Sequence, residues 1–298
     1  MLKNVLSKGH PELQYLSLAS DIITNGSLEK TRNGYTKVGF GAAMTFDLSN
    51  NTIPVLTTKK VAWKTCLREL LWFISGCTDN EVLKSRKVHI WDANGSRDFL
   101  DSRGLNHLAE GDLGPVYGHQ WRHFNAQYST CKTDYTGKGI DQLQNIINCL
   151  NDPEQRTSRR MIMSAWNPCQ IDEMALPPCH VLTQFNVVNG NKLSCALYQR
   201  SGDVGLGVPF NIASYSCLTH LLARHCNLQP DRFVYFLGNA HVYDDHFDAL
   251  QEQCKREPFD FPTLDILNVR DDISNYVEED FVLKDYRYHD IIKMEMRK

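Results

Sequence analysis

Apolar and polar positions alternate along this chain in two periods, and the periods mark out its elements. Over 11–25, Tyr15/Leu16, Leu18/Ala19 and Ile22/Ile23 recur at helical spacing, Pro11 suits a first turn, and Asn25-Gly26 ends the run. Over 61–74 the stripe is Trp63, Cys66/Leu67, Leu70/Leu71 and Phe73/Ile74, stopped by Gly76. Glu69 lies inside that stripe, where it either edges out to solvent or faces inward. Further helices are expected over 140–150, 212–226 and 243–254. Strands are expected over 38–48, 161–166, 181–188, 193–199, 233–237 and 264–267. Asn189-Gly190-Asn191 between two of these reads as a hairpin. The segments around Trp91-Asp92-Ala93-Asn94 and Gly114-Pro115-Val116-Tyr117-Gly118 are rich in turn residues. No linker, repeat or low-complexity tract breaks the pattern. The expectation is one α+β domain, 1–298, on a large mixed or antiparallel sheet flanked by helices.

Composition narrows the classes. The chain has 298 residues, and a hydrophobic content of 42% supports a real core. A net charge of −3 gives no sign of a generic nucleic-acid or membrane-surface binder, and no basic stripe indicates an RNA partner. There is no secretory start and no apolar run near the ~18 residues of a membrane span, so a soluble, cytoplasmic protein is expected. Ten irregularly spaced cysteines without a signal peptide read as reduced thiols. No C-x-x-C pair occurs and His241 with His246 is not H-E-x-x-H, so no metal is expected.

The chemistry concentrates around Leu176-Pro177-Pro178-Cys179-His180. Each proline fixes its own φ and offers no N–H, and Pro178 pushes Pro177 toward extended geometry. The thiol of Cys179 therefore stands on a stiff approach where a loop meets a strand. It is either a nucleophile or one buried thiol of ten.

Taken together, Leu176–His180, Gln199-Arg200-Ser201-x-Asp203, Gly205 through Ser214, Glu69-Leu-Leu-Trp-Phe73, Trp91-Asp-x-Asn94, Gly114–Gly118 and His241-Val-Tyr243 resemble the thymidylate synthase family. The resemblance runs over nearly the whole chain. It implies reductive methylation of dUMP to dTMP, with 5,10-methylenetetrahydrofolate as one-carbon donor and reductant and dihydrofolate as by-product. It also implies an α+β fold that forms a sheet-to-sheet homodimer.

Residue by residue, the resemblance makes Cys179 the nucleophile at uracil C6, with Arg200 beside thiol and phosphate, favouring the thiolate. Arg32, Arg200 and Ser201 would bind the phosphate from one subunit, and Arg159 and Arg160 would reach in from the other; as a bare doublet they would be a solvated face. Gln199 and Asp203 join the nucleotide set. Asn211 would read the base, since a carboxamide donates to O4 and accepts from N3–H, and cytosine reverses both groups. His241 and Tyr243 would hold the sugar 3′-hydroxyl, unless they are a packed helix start. Glu69 would be the general acid/base, its pKa raised among leucines, and Tyr117 would take the C5 proton. Trp91, Asn94, Asp203, Phe210 and Met296 would line the folate side, though Phe210 equally suits a core. His180 would be structural or order water.

Two positions depart from the family pattern: Gly238-Asn239 where Gly-Asp is common, and a charged Arg297-Lys298 end where a small apolar residue usually closes the site. The alternative readings are a dUMP hydroxymethylase, with water in place of hydride, and a binding protein without turnover.

Overall fold

The computed structural model describes residues 9–31 and 34–297. Its centre is a mixed six-stranded sheet in the order β1-β2-β6-β5-β4-β3. The strands are β1 (Ser27–Thr31), β2 (Gly34–Asp47), β3 (Ile162–Ser164), β4 (His180–Val188), β5 (Lys192–Asp203) and β6 (Gln229–Tyr243). All neighbours are antiparallel except β5 and β6, which are parallel and joined through a helix, as a parallel pair requires. A small antiparallel pair, β7 (Thr263–Ile266) and β8 (Phe281–Lys284), stands apart.

One face of the sheet is covered by helices. The helices are α1 (Leu13–Asn25), α2 (Trp63–Ile74), α3 (Asn80–Ser85), α4 (Arg97–Ser102), α5 (Tyr117–His123), α6 (Gln142–Asn151), α7 (Gly207–His225) and α8 (Phe247–Cys254), of which α1, α5, α6 and α7 pack against the sheet. Helix α7 is buried on nearly every side from Val208 to Ala223, which explains its lack of a polar stripe. Helix α2 packs on α7 and α5, and its buried set runs almost unbroken from Cys66 to Ile74. There is no solvent edge for Glu69, which is 8% exposed; its position inside the stripe marks burial.

The other face of the sheet carries no helix at its centre. Leu182, Tyr198, Phe236 and Ala43 form one row across β4, β5, β6 and β2, and Gln184, Ala196, Val234 and Thr45 the next. Tyr198 and Phe236 remain substantially exposed there.

Several elements differ from the expected bounds. The 233–237 strand is the middle of the fifteen-residue β6, so His241 and Tyr243 end a strand and do not begin a helix. Helix α7 begins at Gly207, ahead of the expected 212, because Pro209 in the first turn needs no intrahelical N–H partner. Tyr117 opens α5 and does not lie in a turn. Gly114 just before it has φ +72, and a Cβ there would stand 2.1 Å from the Glu173 carbonyl oxygen, so only glycine fits. Strands β1 and β8 and the short α3, α4 and α5 were not legible from periodicity. The hairpin is as expected, with Asn189 and Gly190 both at positive φ.

Among the described residues, no helix is long and apolar enough to cross a membrane. None of them form a group of three or more His, Cys, Asp or Glu placed to hold a metal ion.

Candidate active site

Cys179 sits on the last step before β4, and its surroundings follow from the two prolines. Arg200, on the neighbouring strand β5, donates from Nε to the Pro178 carbonyl at 2.8 Å and from Nη2 to the Pro177 carbonyl at 2.9 Å. Prolines supply acceptors without competing donors, so the guanidinium fork clasps both. The Arg200 backbone N–H donates to the Cys179 carbonyl at 2.9 Å, and the guanidinium lies over the Trp166 ring. The β4–β5 register slips between His180 and Leu182, a bulge of the kind that re-aims side chains beside sites. Burial pushes the Cys179 thiol up, and the Arg200 charge pulls it down by less. Arg200 thus acts in the direction of the thiolate, and burial outweighs it in the ligand-free chain.

Tyr117 supports the same loop from the other side. Its Oη accepts the Cys179 N–H at 2.8 Å and lies 3.4 Å from the His180 nitrogen. Its ring packs against Phe73 at 4.8 Å, His180 at 4.9 Å and Trp91 at 6.1 Å. Trp91 in turn donates from Nε1 to Glu69 Oε1 at 2.7 Å. Burial pushes Glu69 up to about 7, against the pull of the Trp91 N–H. A carboxyl poised there can hold or release a proton near neutrality. One run of contacts thus joins Glu69, Trp91, Tyr117 and Cys179.

His180 is buried and held neutral: burial lowers it to about 4, opposed by Asn211 beside it. Its Nδ1 has no partner, a buried polar atom that a ligand or its water would satisfy. Asn211 is buried near the start of α7. Phe210 is half-buried against the core.

A cavity of about 440 Å³ opens beside this centre, lined by Arg200, Ser201, His241 and Tyr243 with Thr31, Asn239 and Glu29. Four residues expected to hold the nucleotide therefore share one wall. Arg32 lies outside the described residues. Gln199 is buried and does not line it: its Nε2 donates to the Ser201 carbonyl at 2.8 Å and its Oε1 accepts from the Tyr235 hydroxyl. Asp203 Oδ1 caps the next turn, accepting the Gly205 N–H at 2.8 Å. Arg159 and Arg160 are exposed ahead of β3, and among the described residues neither guanidinium makes an ion pair. The structure does not bring them to Cys179 of their own chain by any recorded contact. Asn94 is half-buried near Trp91. Met296 is 52% exposed, whereas Met294 is packed against the core.

Sequence reading missed three contributors. Lys59 is buried, donates to the Gly205 carbonyl and is lowered by burial to about 8, with Asp203 opposing. Its signal was faint, one lysine in a polar loop. Glu12 is buried and accepts from the backbone and hydroxyls of Thr57 and Thr58, fixing the loop that carries Lys59. His246 stands 3.8 Å from Asp203 and donates from Nε2 to the Glu295 carbonyl at 2.8 Å in the C-terminal segment.

Comparison with known proteins identifies the family. A sequence model of the thymidylate synthase family matches residues 13–298. A putative bifunctional dihydrofolate reductase-thymidylate synthase of Oryza sativa subsp. japonica is 52% identical over 297 residues, covering 99% of this chain and 59% of that protein. The bifunctional dihydrofolate reductase-thymidylate synthase of Zea mays is 52% identical over 289 residues, 96% of this chain and 54% of its own length. The chain thus spans a little over half the length of these bifunctional relatives. Thymidylate synthase 1/2 of Encephalitozoon cuniculi is 51% identical over 291 residues, covering 96% of this chain and 97% of that protein.

Proposed function

The chain belongs to the thymidylate synthase family, and we propose that it methylates dUMP reductively to dTMP, consuming 5,10-methylenetetrahydrofolate and releasing dihydrofolate. The observation that carries this reading is the contact run from Glu69 through Trp91 and Tyr117 to Cys179, beside the cavity that Arg200, Ser201, His241 and Tyr243 line.

In this reading Arg200 and Ser201 bind the phosphate, with Arg32, and His241 and Tyr243 take the sugar hydroxyl. Asn211 matches the uracil edge. The dianionic phosphate brings negative charge to Arg200, so the fork must serve two anions; release from the proline carbonyls would free it to do so. Cys179 adds to C6 as the thiolate, its proton leaving to solvent or a nearby base, and C5 becomes nucleophilic. Glu69, titrating near 7, moves protons at the O4 side through water. Tyr117, a neutral phenol, would receive the C5 proton at the end while passing its own hydroxyl proton to a bound water, so that the proton leaves through that water. The reduced folate supplies the one-carbon unit and the hydride. Trp91, Asn94, Asp203 and Phe210 would line its side, and the unpartnered Nδ1 of His180 suits a water held there. Trp91 helps to keep bulk water out, which favours hydride over hydroxide as the last step.

The helix-free sheet face, with Tyr198 and Phe236 exposed, supports a sheet-to-sheet homodimer. Arg159 and Arg160, which precede β3 and form no ion pair among the described residues, would then complete the partner's phosphate site. The test is the folate product. Dihydrofolate formed in step with dTMP supports the synthase; tetrahydrofolate with a hydroxymethylated nucleotide means water ends the reaction; neither product means a binding protein.

A further inference from the structure

We propose that Arg297 is a positioning residue: it latches the C-terminal segment onto the acidic turn Asp244–Asp245, directly after β6. Its Nη2 stands 3.0 Å from Asp244 Oδ1 and 3.1 Å from Asp245 Oδ2, and its Nε donates to Asp245 Oδ2 at 3.1 Å. The guanidinium also lies over the Tyr243 ring at 5.9 Å. A Cβ on Gly34 would come within 3.5 Å of its Nη1, so the head packs on the start of β2 as well.

The contact is not isolated. Two residues back, the Glu295 carbonyl lies 2.8 Å from His246 Nε2, and His246 is fully buried. One residue further back, Met294 Sδ lies 3.9 Å from Lys59 Nζ. A single exposed ion pair holds a chain end weakly. Here one fork meets two carboxylates and an aromatic face, with a buried histidine as second anchor, so the parts act together. The turn is also continuous with the candidate site: His246 faces Asp203 at 3.8 Å, and Tyr243 lines the cavity. The segment ending at Arg297 is therefore held by ion pairing and a buried histidine.

The latch itself is tested without turnover; only its effect on catalysis rests on the proposed function. Hydrogen exchange is followed by mass spectrometry in the full, ligand-free chain, in peptides covering 285–297. Arg297→Ala and the pair Asp244→Asn/Asp245→Asn are each expected to speed exchange roughly three- to tenfold. Raising salt to about 0.5 M should do the same to the wild type and little to the variants. Combining all three substitutions should add nothing, since they remove one interaction. Arg297→Glu with Asp244→Lys/Asp245→Lys should restore protection, which a misfolded turn would not allow. Exchange of Arg297→Ala equal to wild type, or fully additive effects, overturns the latch. With dUMP and reduced folate, Arg297→Ala should raise the folate KM severalfold, in a salt-dependent way, and leave dUMP binding unchanged. An inactive wild type would refute the proposed reaction while the exchange data still judge the latch.

Discussion

The hydroxyl oxygen of Tyr117 accepts the backbone N–H of Cys179 at 2.8 Å. The residue expected to move the last proton thus also holds the main chain of the proposed nucleophile. Burial keeps this phenol far above the ordinary tyrosine range, so it is neutral at any working pH. Tyr117→Phe leaves a buried N–H without its partner, which costs about 1–3 kcal/mol. We expect a lower melting temperature and turnover reduced by about a hundredfold or more, with dUMP binding nearly retained. Calorimetry and steady-state kinetics check this; wild-type turnover in Tyr117→Phe would remove Tyr117 from the chemistry.

Glu69 couples stability to pH. Its folded value of about 7 lies above the ordinary 4.5, with burial as the cause. A carboxyl raised in this way contributes stability that is fully present below its unfolded value and is lost as pH rises through the folded one. Glu69→Gln should therefore match the wild type near pH 4.5 and exceed it by up to roughly 2–3 kcal/mol above pH 8, while losing most turnover. Denaturant unfolding across that range measures it. Trp91→Phe removes the N–H that favours the carboxylate, so the acid limb of the rate profile should move to higher pH.

The proposed homodimer with a shared site makes a complementation prediction. Cys179→Ser and Arg159→Ala should each be nearly inactive alone. Mixed under subunit exchange, they form heterodimers in which one site carries both Cys179 and the partner's arginine. Activity should return toward about a quarter of wild type, the statistical expectation for random pairing of subunits. Heterodimers shown to form without recovered activity would place Arg159 outside the site.

What could be read in the sequence followed from local rules. The α2 stripe, the Asn189-Gly190 hairpin and the stiff Pro177-Pro178-Cys179 approach are set by neighbours in the chain, and they stand as expected. Tyr117 opens a helix where a turn is expected, and Tyr243 ends a strand where a helix start is expected. The short α5 has too few turns to show a period, and β6 is long and half-covered, so its ends resemble loops. Glu69 was ambiguous because burial all round α2 depends on α5 and α7 packing against it. Lys59, Glu12 and His246 gave no signal, since their partners are remote in sequence: Gly205, Thr57 and Glu295. The clasp of Arg200 on the proline carbonyls had no signal either, because Pro177 and Pro178 are remote from it in sequence.

The central claim is that Cys179 attacks the pyrimidine. The direct measurement is dihydrofolate release by Cys179→Ser, with dUMP binding to the same preparation followed by calorimetry. The account predicts dUMP affinity within a few-fold of wild type and turnover lower by about three orders of magnitude or more. Turnover above about a tenth of wild type, with dUMP bound normally, would contradict it.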